Sequence, residues 1–95
     1  MNILHYKCTN YEYWYYLDKD NKKVYHRDND LPAYIYSYGT KYWYQHGKRH
    51  REIVAAVEFS TGNLRYYYYG KYLGRSFSGY TLKDFENFKK YKTFL

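Results

Sequence analysis

Polar and aromatic positions alternate along the chain from about residue 11 to residue 75, and glycines interrupt the alternation. Alternation over a few residues, broken by Gly, is the pattern of strand, turn, strand. It predicts strands near 11–17, 23–28, 32–38, 40–46, 48–52, 54–60, 63–69 and 71–75, run together as an antiparallel β-meander over 11–75. Asp18-Lys19-Asp20-Asn21-Lys22 reads as a longer loop, across which Trp14 pairs with His26. The period then changes. Thr81 and Asp84 carry the hydroxyl and the acid of a capping box, and Leu82, Phe85, Phe88, Tyr91 and Leu95 recur at helical spacing. Lys89, Lys90 and Lys92 load the end that favours cations. A helix over about 82–93, within a C-terminal segment 81–95, is predicted, with 74–80 as linker. Its task is to cover a face or an edge of the sheet. The fold class is therefore mainly β with a C-terminal helix.

The alternation repeats itself. Residues 32–48 match residues 55–71 at an offset of 23: Ala33 with Ala56, Ser37 with Ser60, Gly39 with Gly62, Gly47-Lys48 with Gly70-Lys71. His26-Arg27-Asp28 precedes the first copy and His50-Arg51-Glu52 the second, at an offset of 24. A period of this length marks stacked units, none of which buries its own face alone.

Two-residue turns at Thr61-Gly62 and Tyr38-Gly39 set the register. Phe59 then faces Leu64, Glu58 faces Arg65, Val57 faces Tyr66, Tyr36 faces Lys41 and Tyr34 faces Trp43. Turns at His46-Gly47 and Tyr69-Gly70 pair Trp43 with His50 and Tyr66 with Leu73. In this register Trp14, Trp43, Tyr34, Tyr36, Val57, Phe59, Leu64 and Tyr66 form the core. Ile35, Tyr42, Tyr44, Tyr67 and Tyr69 lie on the opposite face. A slip of one residue would exchange the faces.

Composition narrows the class. The chain has 95 residues, enough for a single domain over 1–95. It carries 18 Tyr and a net charge of +7. A quarter of aromatic residues excludes a disordered tail. Cys8 is alone, so there is no disulfide framework, and a reducing, cytoplasmic location is expected. No apolar run is long enough to span a membrane, and Met1 to Lys7 lacks the apolar core of a signal peptide.

At His26-Arg27-Asp28-Asn29-Asp30-Leu31-Pro32-Ala33, followed by Gly39, Lys41-Tyr42-Trp43-Tyr44, Gly47-Lys48 and His50-Arg51-Glu52, the chain resembles the MORN-like repeats of giant-virus, bacteriophage and some bacterial proteins. The resemblance covers about residues 24–73. The second copy departs from it, with Ala55 in place of Pro and Leu73-Gly74-Arg75 in place of the closing His-Arg. The resemblance implies a meander of hairpins and a binding role, with no reaction and no particular partner.

Enzymatic constellations are absent from the spacing. His26-Arg27-Asp28 shares three letters with a kinase catalytic loop, but no Gly-rich phosphate loop accompanies it. Cys8 has no activating neighbour. A turn at His46-Gly47 breaks the helical spacing that His46, His50 and Glu52 would need as metal ligands, so His26 and His50 read as structural histidines holding a turn. No set of His, Lys and Tyr stands out as a metal-independent nuclease. Neither cofactor nor metal is expected. The basic residues are more informative. Lys48-Arg49-His50-Arg51 is the densest cluster, and in the predicted register Arg49 lies beside Tyr44 and Arg51 beside Tyr42. Guanidinium beside phenol can clamp an anion and stack at once. Tyr42, Tyr44, Lys48, Arg49, Arg51 and Tyr67 are the candidate partner-binding residues. The expected function is non-enzymatic binding of a protein with an acidic surface, as by a phage or viral accessory protein that inhibits a host or defence protein. The alternative is a nucleic-acid binder using a basic, Tyr-rich sheet face.

Overall fold

A computed structural model describes residues 1–92 of the chain. The helical prediction for Thr93 and Leu95 falls outside these residues. The strands are β1 (Leu4–Lys7), β2 (Tyr11–Leu17), β3 (Lys23–Tyr25), β4 (Tyr34–Tyr36), β5 (Lys41–Tyr42), β6 (Tyr44–Gln45), β7 (Lys48–Arg49), β8 (Val57–Glu58), β9 (Leu64–Tyr68) and β10 (Lys71–Arg75), and the helix is α1 (Leu82–Tyr91). The main sheet runs β1-β2-β4-β5-β8-β9-β10, with β3 also paired to β2 and β6–β7 as a separate ribbon. Every pairing is antiparallel. The protein is mainly antiparallel β with one C-terminal helix, as the alternation predicts. β1 was not predicted, although Leu4 and Tyr6 alternate with His5 and Lys7 along it; its four residues lie outside the repeat.

Each unit is built around an aromatic residue where a strand changes partner. Tyr11 to Tyr13 pair with β4, and Tyr15 to Leu17 pair with β3. Between them the Trp14 amide donates to the Ala33 carbonyl at 2.8 Å. Trp43 sits in the same way between β5 and β6, donating to Ala56 at 2.7 Å. Ala33 and Ala56 are fully buried, which leaves no room for a longer side chain.

The turns are of two kinds. His46-Gly47 and Tyr69-Gly70 are two-residue turns with positive φ at both positions, and they give the predicted pairing. Beyond Tyr72 a bulge at Leu73 shifts β10 by one residue, so Tyr66 pairs with Gly74 and not, as predicted, with Leu73. Gly74, at this bulge, lies under Tyr80, whose ring would collide with any Cβ there.

The other two turns correct the prediction. The Phe59 amide donates to the Asn63 carbonyl and the Tyr36 amide to Thr40. Ser60-Thr61-Gly62 and Ser37-Tyr38-Gly39 are therefore three-residue loops with glycine in the left-handed region. Val57 pairs with Arg65, Glu58 with Leu64, Ile35 with Lys41 and Tyr34 with Tyr42. The slip of one residue moves Tyr42 to the face of Tyr34 and Tyr36, and Trp43 to the face opposite them.

The predicted core is accordingly divided. Trp43, Val57 and Tyr66 are buried, whereas Trp14, Tyr34, Tyr36, Phe59 and Leu64 are half-buried. Trp14, Trp43, Leu64 and Tyr66 share one face; Tyr34, Tyr36, Val57 and Phe59 share the other. Helix α1 covers the first of these faces at its C-terminal end. Phe85, fully buried, packs with Ala55 and Tyr66, flanked by Leu64, Tyr68, Leu73 and Tyr80. Thr81 and Asp84 form the predicted capping box. Leu82 and Tyr91 stay exposed, so only part of the predicted apolar stripe docks.

Candidate functional site

The His-Arg-acid motif acts as a bracket between units. His26 Nδ1 accepts from the His46 amide at 3.0 Å while its Nε2 meets Asp28 at 2.8 Å. His50 Nδ1 accepts from the Tyr69 amide at 2.9 Å while its Nε2 meets Glu52 at 3.0 Å. Accepting from a backbone N–H at Nδ1 places the proton of the neutral ring on Nε2, which then donates to the carboxylate. His46 and Tyr69 are the strained, positive-φ residues of the two-residue turns, so each histidine holds the turn of the next unit. Both rings are almost fully buried, and burial holds the His50 imidazole below its ordinary pKa against the pull of Glu52.

The arginine of the motif covers the unit's tryptophan. The guanidinium of Arg27 lies 3.4 Å from the Trp14 ring centre, and that of Arg51 lies 3.7 Å from Trp43. Arg27 donates to the Pro32 carbonyl and Arg51 to that of Ala55, the equivalent position. Arg51 is further ion-paired to Asp30 at 2.9 Å and to Glu58 at 2.7 Å. In the second copy Leu73 stands where a histidine would, and it packs against the cluster under α1.

The opposite face is a field of tyrosines. Tyr6, Tyr11, Tyr13, Tyr25, Tyr34, Tyr36, Tyr42 and Tyr44 form a continuous set of ring contacts across five strands of the main sheet and the ribbon strand β6. Tyr38 extends it, stacked on Tyr36 at 5.2 Å and 64% exposed. Many of these rings stack on one another, as Tyr13 does on Tyr34 at 5.4 Å. Their faces are thus partly taken, and most of these rings are half-buried. Burial among neighbours raises the pKa of Tyr25, Tyr34 and Tyr42, so these hydroxyls keep their protons at neutral pH.

The cations of this face differ from those of the other. Lys23 lies over Tyr13 and Tyr15, Arg65 over Phe59, and Arg49 between Tyr42 and Tyr67 at 5.2 and 5.3 Å. Among the described residues none of the three is ion-paired, whereas every ion pair belongs to the bracket face: His5–Glu12, His26–Asp28, His50–Glu52 and Arg51 with Asp30 and Glu58. Glu12 and Glu58, the acids that fall within strands, both point to that face, beside Ile35 and Lys41.

Of the sequence-derived candidates, the structure brings Tyr42, Tyr44, Arg49 and Tyr67 together. Arg49 pairs with Tyr44 in the ribbon and donates to the Tyr67 hydroxyl at 3.0 Å. Arg51 does not join them; the strand predicted over 48–52 ends at Arg49, and beyond it the Arg51 guanidinium lies over Trp43 instead of beside Tyr42. Lys48 neighbours Arg49 in the strand and so points the other way, its stem against Gly70. Tyr69 stacks on His50 at 3.7 Å instead of joining the predicted tyrosine row. Sequence reasoning missed Tyr6, Tyr11, Tyr13, Tyr25 and Lys23 as members of the face and placed Tyr34 and Tyr36 in the core. The alternation Tyr11, Tyr13, Tyr15 was the available signal, had it been aligned with Tyr34 and Tyr36.

Among the described residues no three His, Cys, Asp or Glu side chains converge as metal ligands would, and no helix is long and apolar enough to cross a membrane. Comparison with protein-family models, with curated proteins and with solved structures found no match.

Proposed function

We propose that this is a non-enzymatic binding protein whose tyrosine face docks on a protein partner with an acidic surface. The observation that carries the reading is the separation of charge. Among the described residues, one face joins aromatic rings to cations that have no ion pair, while the carboxylates within strands and every ion pair lie on the other. Tyrosine supplies large, stiff contact area with a polar tip, the composition typical of protein-binding surfaces. Here the rings already pack against one another, so little rotamer freedom is lost on docking. The net charge of +7 favours an acidic partner and disfavours a second copy of the chain. The resemblance to MORN-like repeats suits the same role, that of a phage or viral accessory protein that occupies and inhibits a host or defence protein in the cytoplasm.

Affinity capture from the source cell, with and without nuclease, tests the reading when the parent and the Tyr36→Ser/Tyr44→Ser variant are run side by side. A protein retained by the parent after nuclease treatment and lost with the variant supports it. Release of all bound material by nuclease assigns the face to nucleic acid, and the steep loss of affinity with salt expected of phosphate contacts would accompany that result.

A further inference from the structure

Arg49 stands at one side of a cleft of about 270 Å³ whose other walls are Tyr25, Tyr34, Tyr36, Tyr42 and Tyr44. Cavities for drug-sized molecules run from about 300 to 1,000 Å³, so this one is at the lower limit and suits a single side chain. Arg49 is the only charged residue of the lining. Its guanidinium donates to the Tyr67 hydroxyl and packs between Tyr42 and Tyr67. That fixes its plane and leaves N–H donors without an acceptor of opposite charge among the described residues. An arginine has five such donors in a rigid fork.

We propose that this cleft is a carboxylate-binding site, the anchor point for one glutamate or aspartate side chain of the partner; it rests on the reading of the tyrosine face as a docking surface. A carboxylate matches the site in each part. Its two oxygens fit the guanidinium fork, the phenol hydroxyls of the walls supply further donors, and the methylenes of its stem lie against ring edges. Tyr67 and Tyr42 act on the ligand through Arg49, by holding the fork in place.

The test uses the isolated protein. Blocked glutamate (N-acetyl, C-amide) is titrated while the Arg49 Nε–H signal and the ring signals of Tyr42 and Tyr44 are followed by NMR. Blocked glutamine serves as the neutral isostere and inorganic phosphate as the competing anion, all at matched ionic strength. Saturable shifts at Arg49, Tyr42 and Tyr44 with glutamate, absent with glutamine, are expected. Arg49→Gln, read at Tyr42 and Tyr44, should lose at least tenfold in affinity. Tyr44→Phe, which keeps the ring and removes a donor, should lose less and covers the case of an Arg49 variant that folds poorly. Equal shifts with glutamine, tighter saturation by phosphate, or equal responses at Arg65 and Arg75 would overturn the assignment. Because no partner is present, a failed titration leaves capture through the tyrosine face standing, and failed capture leaves the titration standing.

Discussion

The two faces of this sheet use the same residue types to opposite ends. On the bracket face, Arg27 and Arg51 sit over Trp14 and Trp43 and each gives one N–H group to a carbonyl of the chain, while Arg51 gives others to two carboxylates. On the tyrosine face, Arg49 lies between rings and, among the described residues, donates to phenol oxygen without a carboxylate partner. A guanidinium whose donors are already engaged stabilises the fold. One whose donors remain open carries a local charge that the fold leaves uncompensated. The aromatic residues divide likewise. Trp43 and Tyr66 are buried under arginine and helix, while Tyr36 and Tyr38 stack against neighbouring tyrosines and keep part of their surface exposed. Burial of apolar area is what stabilises so small a domain. Most of the buried side chains, Trp43, Tyr66, Phe85, His26 and His50 among them, belong to the bracket face, with Tyr13 and Val57 on the other, so the bracket face carries the larger share of the stability.

The largest break in this comparison is Trp43→Ala. It removes a buried ring, the seat of Arg51 and the Nε1–H bond to the Asp30 carbonyl at 3.0 Å. A loss of about 3–5 kcal/mol is expected, against a total of about 5–15 kcal/mol for a typical domain. Chemical denaturation should show the midpoint fall sharply. A midpoint unchanged by this substitution would mean that the bracket face is not where stability resides.

Next in size is a pair of matched substitutions. Arg51→Ser loses a cation–π contact and two ion pairs, and should cost about 2 kcal/mol. The side chain is 13% exposed, but Asp30 and Glu58 are 37% and 36% exposed and water can solvate them once Arg51 is gone. The cost therefore stays below that of breaking a fully buried pair. Arg49→Ser should cost under about 1 kcal/mol of stability and weaken partner binding by about 2 kcal/mol or more. The reverse order of the two stabilities would dissolve the distinction between the faces.

How much of this was legible follows from the turns. Most of the strands, the repeat, the long loop at residues 18–22 and the helix cap carry local signals and were found, whereas β1 was missed and the strands predicted over 32–38, 48–52 and 54–60 are shorter in the structure. His46-Gly47 and Tyr69-Gly70 were read in the right register. Thr61-Gly62 has the same form on paper, yet a two-residue turn there would force positive φ on a β-branched threonine, which is a poor occupant. The serines at positions 37 and 60, with glycine two residues on, fit the three-residue loop that the chain adopts. Missing that distinction shifted two registers by one residue each, enough to exchange Tyr42 with Trp43; Arg51 was misplaced for another reason, because the strand predicted over 48–52 ends at Arg49. Arg49 and Tyr44 survived because they hang on the correctly read turn. The bracket geometry was legible only as a repeated motif, because what His50 bonds to is an amide 19 residues away.

A smaller effect comes from pH. Burial lowers the pKa of His50 in the folded state, and its Nδ1 must stay unprotonated to accept from Tyr69. A group whose folded pKa lies below its unfolded value of about 6.5 binds its proton more readily in the unfolded chain. Its contribution is present above that value and is lost as pH falls through it toward the folded pKa. Stability measured from pH 7.5 down to pH 5 should decline, and His50→Gln should flatten the decline. An identical slope in both proteins would assign the acid sensitivity to other groups.

The smallest change to the fold and the sharpest test of the tyrosine face is Tyr38→Ser. Tyr38 sits in the loop between β4 and β5, largely exposed and stacked on Tyr36 alone. Its φ is not among the positive ones, so serine meets no backbone strain there. Stability should stay within about 0.5 kcal/mol of the parent. Binding is another matter, because an exposed, rigid ring at the margin of a docking surface contributes area to the interface that the free protein does not use. A fall in partner affinity of about tenfold, some 1.4 kcal/mol, with an unchanged melting curve would separate the two faces by a single residue. An unaltered affinity together with a lowered melting temperature would mean that the tyrosines serve the fold after all.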